Sequence, residues 1–163
     1  MTDVLRSRCP SAPDTSRTTC LPVADDDEIA AHHAVRRAVF VVEQALFPAS
    51  DRDPRDDDRA TVHVLGRVDG VVAGTVRIYP LDGAGLWKGD RLAVLPEYRR
   101  ERVGGPLVRT AVATAGALGG TRMVAQVQAV NTRFFLALGW APVGAPFDLL
   151  GLPHQQMTID LSR

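Results

Sequence analysis

Between Asp90 and Thr110 the chain sets Arg99, Arg100 and Arg102 directly ahead of Gly104-Gly105-Pro106. Guanidinium forks match phosphate oxygens. Glycine lets backbone approach a ligand closely, and proline is tolerated in a first helical turn whose N–H groups are unpaired anyway. The apolar run from Arg91 to Leu95 reads as a strand, which Pro96 stops because it has no N–H and disfavours helix at the residue before it. A strand therefore runs through a basic loop into a helix N-terminus. Free N–H groups and arginines converge there on an anion, most naturally phosphate. An ordinary strand-to-helix turn with a solvated basic face would use the same residues.

Other chemistries leave no mark. There is no Gly-x-Ser-x-Gly, no zinc spacing of Cys and His, and no P-loop Gly-Lys-Ser/Thr. Gln126 and Gln128 share one face of a strand read as buried, so their amides either line a ligand gap or satisfy a loop. His63 lies mid-strand and reads as a packed histidine, while His32 and His33 read as helix surface. The segment Pro48–Arg59 holds Asp51, Asp53, Asp56, Asp57 and Asp58. It reads as a solvated charged loop, or as a rim that attracts a cationic amine. It lacks a calcium-loop pattern, and no metal is expected.

These residues need a scaffold, and 163 residues suffice for one domain with a sizeable core. The formal net charge of zero gives no bulk attraction to nucleic acid or a membrane surface. Lys88 is the only lysine; all other basic residues bar the histidines are arginines. Cys9 and Cys20 form no secreted-type framework, which favours a cytoplasmic chain with free thiols. No apolar run reaches the length of a membrane span, and the first twenty residues have no apolar signal-peptide core.

Residues 1–18, rich in Ser, Thr, Asp and Arg, are expected to be disordered or loosely attached, with one folded unit over 19–163. Thr19–Val23 reads as an edge strand. The aspartates at 25–27 cap a helix from about Glu28 to Gln44. Strands follow over Thr61–Arg67 and Val71–Tyr79, joined by an Asp69-Gly70 hairpin turn, and then over Trp87–Leu95. A helix spans Gly105–Leu118 and a strand spans Arg122–Val130. A short helix covers Asn131–Leu138. The last strands are Trp140–Val143 and Gln155–Leu161, joined by a loop containing His154. Strands followed by helix, strand, helix and strands make an α+β pattern.

Several stretches resemble the GNAT family of acetyl-CoA-dependent N-acetyltransferases. Leu92-Ala93-Val94-Leu95-Pro96-Glu97-Tyr98-Arg99, followed by Arg102-x-Gly104, is similar to the family's strand–loop–helix signature, except that Arg102 stands where the family usually has glycine. Arg36–Gln44 resembles the first helix of an ElaA-like branch that also includes acyl-homoserine-lactone synthases, and Gly151-Leu152-Pro153-His154 resembles the same branch. Gly74–Arg77 resembles the family's third strand, and Asn131–Trp140 its Asn-x-x-x-x-Phe/Tyr stretch. Within the family, the whole of Gly74–Trp140 looks most like a subfamily associated with nitrogen starvation.

The resemblance implies a GNAT fold, a central mostly antiparallel mixed sheet flanked by helices. It also implies direct transfer of an acyl group from acetyl-CoA to a small amine within a ternary complex. The backbone of Leu92, Ala93 and Val94 would hold pantetheine and supply the N–H for the oxyanion. Arg99, Arg100, Glu101, Arg102, Val103, Gly104, Gly105 and Leu107 would surround the diphosphate. Asn131, Phe134 and Phe135 would contact the rest of the cofactor. Phe135 occupies a position where the family often has a tyrosine that protonates the leaving thiolate. Glu43 and His154 are the candidate bases, and Gln126 and Gln128 would line the substrate gap. Two alternatives stay open: a CoA-binding module without turnover, and an acyltransferase with a longer donor. A homodimer is also left open.

Overall fold

The computed structural model describes residues 17–161. The expectation for the N-terminal segment falls outside the described residues as far as residue 16. Arg17 and Thr18 are held more firmly than expected. Arg17 bonds Asp69 at 2.9 Å and Glu101 at 3.3 Å, and Thr18 begins β1 (Thr18–Pro22), paired opposite Val68. Cys20 carries a free, half-buried thiol.

The helix α1 (Asp26–Arg36) starts where expected, with the Asp25 carboxylate accepting from the Glu28 N–H at 2.8 Å. It does not continue as a plain α-helix to Gln44. Arg37–Glu43 forms a π-helical stretch, closed by the Gln44 N–H donating to the Val39 carbonyl at 2.9 Å. The strands β2 (Val62–Val68) and β3 (Val71–Pro80) meet at Asp69 (φ 49°) and Gly70 (φ 82°), the left-handed pair that a two-residue hairpin needs. After β4 (Leu86–Val94) come a 3₁₀ turn (Pro96–Glu101) and α2 (Gly104–Ala117). Next are β5 (Arg122–Gln128), α3 (Thr132–Ala137), β6 (Ala141–Leu149) and β7 (Leu152–Asp160).

The strands form a seven-stranded sheet in the order β1-β2-β3-β4-β5-β7-β6. Only the β4–β5 pair is parallel. The α+β expectation therefore holds, with a mixed, mostly antiparallel sheet and helices on its faces. The last hairpin is longer than expected. Its turn is Leu150-Gly151, so His154 lies within β7 rather than in a loop. Pro142 and Pro146 are tolerated within β6 because it lies at the sheet edge.

The two sheet faces differ in chemistry. One buries Val64, Val76, Ile78, Trp87, Met123 and Met157 against Leu107, Val108, Ala111 and Ala115 of α2. The other is covered by Val35, Val39 and Phe40 near Ala93, and beside them by an ionic cluster. This cluster corrects the reading of residues 48–59 as a solvated or substrate-attracting acidic loop for Asp51, Asp53 and Asp56, while Asp57 and Asp58 are exposed. Arg36 is fully buried. Its Nε donates to Asp51 at 2.7 Å and its guanidinium forks onto Asp56 at 2.6 and 3.1 Å. Arg77, equally buried, forks onto Asp53 (2.7 and 3.0 Å) and Asp90 (2.8 and 2.7 Å). Arg91 adds bonds to the Asp51 side chain at 2.9 Å and carbonyl at 3.0 Å. Burial acts to raise the Asp56 pKa, but the bonds from Arg36 and the Asp53 N–H hold it well below the carboxylate range.

His32 is not helix surface as expected; it is fully buried against this cluster. Its Nε2 lies 3.3 Å from an Arg36 nitrogen and 3.1 Å from His63 Nδ1. Arginine only donates, so His32 Nε2 accepts and His63 Nδ1 carries the hydrogen. Burial first, then His63 and Arg36, push the His32 pKa from 6.5 down to about 2. The unfolded chain therefore binds this proton first. Stability is complete above the unfolded value of 6.5 and falls below it, by about 1.4 kcal/mol per pH unit. Burial lowers His33 and His63 in the same direction, so urea unfolding between about pH 7 and pH 5 should show at least this slope, and His32→Gln should reduce it. An equal slope in the variant would assign the acid sensitivity elsewhere.

Candidate active site

β4 and β5 pair only from Leu86↔Arg122 to Gly89↔Ala125 and then part. On its other side β4 is irregular. Its register with β3 passes from Thr75↔Ala93 to Arg77↔Asp90, so Arg91 and Leu92 are bulged out, and Arg91 has φ 52°. The bulge sends the Arg91 guanidinium to Asp51 and over the Phe47 ring, 5.0 Å from its centroid. It also takes the Leu92 backbone out of the ladder at the point where the two strands separate.

Two cavities open into this gap, one of about 200 Å³ and one of about 850 Å³. They share Gln44, Leu92, Gln128 and Asn131 as wall. The larger cavity lies over the N-terminus of α2 and is lined by Ala93, Val94, Arg99, Arg102, Gly104, Gly105 and Phe134. Arg109 also lines it, a lone helical arginine that sequence spacing did not single out. Arg100, Glu101, Val103 and Leu107 do not line it. Glu101 faces Arg17, while Val103 and Leu107 are fully buried in the core.

The first intrahelical bond of α2 runs from the Leu107 N–H to the Val103 carbonyl at 3.1 Å, and no side chain caps the helix. The Gly104 and Gly105 N–H groups precede that bond. A Cβ on Gly104 would stand 3.3 Å from Phe134 Cζ, so glycine keeps this wall open. Uncapped N–H groups, Arg102 and Arg109 are a donor set that fits a diphosphate. Arg99 is engaged differently from what was expected. Both its terminal nitrogens bond the Glu43 carboxylate, which holds the Glu43 pKa below the usual range.

Arg102 has φ 57° and ψ 35°, the left-handed conformation. Glycine adopts this conformation at no steric cost, and arginine does not. Arg102→Gly should raise stability by about 0.5–1 kcal/mol. It should also weaken binding of an anionic ligand, because the cavity loses a guanidinium. Urea midpoints and calorimetric titration with acetyl-CoA check both effects, and a less stable variant would show that the arginine side chain outweighs its backbone strain.

The smaller cavity is walled by Phe40, Leu46, Phe47, Phe135, Trp140 and Leu149 together with Lys88, Asp90, Arg91, Gln126, Gln128 and His154. Gln126 is exposed, not buried as expected for its strand. Gln128 donates to Gln44 Oε1 at 3.1 Å. Phe135 is buried edge-to-face between Phe134 and Trp140, with centroids 5.3 Å apart in each pair. His154 sits opposite Gln128 in the register and stacks on Phe147. Its Nδ1 lies 2.8 Å from the Leu152 carbonyl. A carbonyl only accepts, so Nδ1 carries a hydrogen, and in the neutral ring the lone pair is on Nε2. Among the described residues no group of three or more His, Cys, Asp or Glu could hold a metal ion, and no helix is long and apolar enough to cross a membrane.

The model of the Acetyltransferase (GNAT) family matches residues 29–140. Escherichia coli ElaA is 26% identical, with a TM-score of 0.75 over 86% of this chain and 97% of ElaA. An acyl-CoA N-acyltransferase from Pseudomonas aeruginosa is 25% identical, with a TM-score of 0.74 over 86% and 97% of the two chains. The yncA protein of Salmonella typhimurium, solved with its cofactor acetyl-CoA, is 20% identical, with a TM-score of 0.69 over 90% and 95%.

Proposed function

The chain belongs to the GNAT acetyltransferase family, and on that premise we propose that it transfers an acetyl group from acetyl-CoA directly to a small amine in a ternary complex. The observation that carries this reading is the opening between β4 and β5, where a large cavity with a donor-lined wall meets a smaller, mostly apolar one at Leu92. Gly104, Gly105, Arg102 and Arg109 would hold the diphosphate. The freed backbone of Leu92, with Ala93, Val94 and Asn131, would hold the pantetheine arm. Bound acetyl-CoA supplies an activated acyl group as a thioester.

The chain's own part is placement and proton handling. The aromatic walls exclude water, and the Leu92 backbone marks the transfer point. His154 Nε2 has the lone pair to take a proton from the attacking ammonium or amine, directly or through one water. Glu43 is the poorer base, because Arg99 holds it ionised. Phe135 has no hydroxyl to give to the departing thiolate, so that proton comes from solvent or returns from His154.

The test is release of free thiol from acetyl-CoA with a panel of amines, beside thermal melts. Saturating acetyl-CoA should raise the melting temperature, since it binds only the folded chain, and Gly104→Trp should abolish the shift. No shift and no calorimetric heat at millimolar acetyl-CoA would end the proposal. Phe135 favours one second reading, a module that binds CoA without turnover; a melt shift with no thiol release from any amine would select it.

A further inference from the structure

The smaller cavity has an unusual charge balance. Its lining carries Lys88, Asp90 and Arg91. Asp90 is taken up by the Arg77 fork at 2.8 and 2.7 Å, and Arg91 by Asp51 at 2.9 Å. Lys88 is half-buried and has neither an ion pair nor a hydrogen bond among the described residues. Its register partners are Tyr79 on β3 and Val124 on β5. Neither offers a counter-charge: burial pushes the Tyr79 phenol up to about 12, and its hydroxyl turns to Asp90 at 3.3 Å. Gln126, on the same sheet face, also has no bonding partner among the described residues. Lys88 is thus the one charged side chain of this lining without a direct partner, beside a cluster in which Asp51, Asp53, Asp56 and Asp90 face Arg36, Arg77 and Arg91, and its ammonium has donors free for an anionic group.

On the premise that this cavity takes the acceptor, we infer that the acceptor amine also carries a carboxylate, which Lys88 binds with the Gln126 amide beside it. Within the acidic segment, Asp51, Asp53 and Asp56 are bound to arginines and are not free to recruit a cationic acceptor. Spacing narrows the class further. Lys88 stands four residues before Leu92, about 13 Å of strand, less what the bulge removes, and its side chain spans part of that distance. The carboxylate and the amine are therefore separated by several bonds, as in an ω-amino acid, and the amine reaches toward Leu92 and His154.

Three acceptors of matched length distinguish the possibilities: 5-aminopentanoate, pentylamine and 1,5-diaminopentane, each assayed by thiol release at saturating acetyl-CoA. The amino acid should exceed both others at least tenfold in kcat/KM. Lys88→Met should narrow that ratio at least tenfold through KM, and Lys88→Glu should turn the preference toward the diamine. Preference for the diamine in the unaltered protein, or an unchanged ratio in Lys88→Met, would overturn the inference. Binding of pentanoate, which has no amine to acetylate, is measured in parallel by NMR with CoA present. Pentanoate bound by the unaltered chain and lost in Lys88→Met supports the carboxylate site even if no amine is turned over, in which case the transfer reading fails alone. No pentanoate binding at all, with the acetyl-CoA melt shift intact, removes the carboxylate site and leaves the transferase reading standing.

Discussion

Replacing His154 with alanine should lower kcat/KM by about a hundredfold to ten-thousandfold, the ordinary range for loss of a general base. The ring is fixed at three points: the Leu152 carbonyl fixes its tautomer, Phe147 its plane, and β7 its position across from Gln128. Only Nε2 is left to act. The pH–rate profile should lose its rising limb in the variant, while calorimetric affinity for acetyl-CoA stays within a few-fold, because His154 does not line the larger cavity. Glu43→Gln should behave differently. It frees Arg99 and should alter cofactor affinity more than the pH profile. Full activity with an unchanged profile in His154→Ala would mean that the amine loses its proton to water.

A large structural effect is expected at Arg36. Arg36→Met would leave Asp51 and Asp56, both almost fully buried, without their principal counter-ion. Breaking one side of a buried pair costs about 3–5 kcal/mol, a large share of a typical domain's stability. The urea midpoint should fall accordingly, or the chain should fail to accumulate folded. Arg67→Met removes a half-exposed pair with Glu28 and serves as the comparison, with an expected loss of about 1 kcal/mol or less. Equal losses in the two variants would refute the claim that the cluster around Arg36 supports the fold.

These two sites differ in how far the sequence disclosed them. The strand–turn–helix from β4 to α2 was legible because its parts are local: Pro96 stops a strand, and Gly104 and Gly105 open a helix within a few residues. The hairpin at Asp69-Gly70 was legible for the same reason. The ionic cluster was not, because its partners are far apart in the chain, Arg77 and Asp90 by 13 residues, Arg36 and Asp51 by 15 and Arg91 and Asp51 by 40. A run of aspartates shows its charge but not its partners, and solvated loops have the same composition. His32 was misplaced on the same ground, since a histidine on an amphipathic helix is buried only when something polar waits beneath it. Lys88 passed unnoticed because one lysine mid-strand has no motif. Its meaning comes from the neighbours that are already paired. His154 was identified as a candidate but put in a loop; β7 instead begins at Leu152, directly after the Leu150-Gly151 turn.

The wide turn at Arg37–Glu43 bears on descent. A π-helical turn holds one residue more than an α-turn without looping it out, so it is an insertion absorbed into a helix. Each helical residue advances the side chain by about 100°. A relative one residue shorter between Arg37 and Glu43 would present an unbroken α-helix there, and everything after the gap would be turned by that angle. Gln44 would then face away from Gln128, and the wall shared by the two cavities would lose its tie across the gap. Length in this one turn is thus a heritable setting of the groove, separable from the core. Deleting Val41 should leave the α2 side of the sheet folded while erasing the Gln44–Gln128 contact, which amide chemical shifts would report.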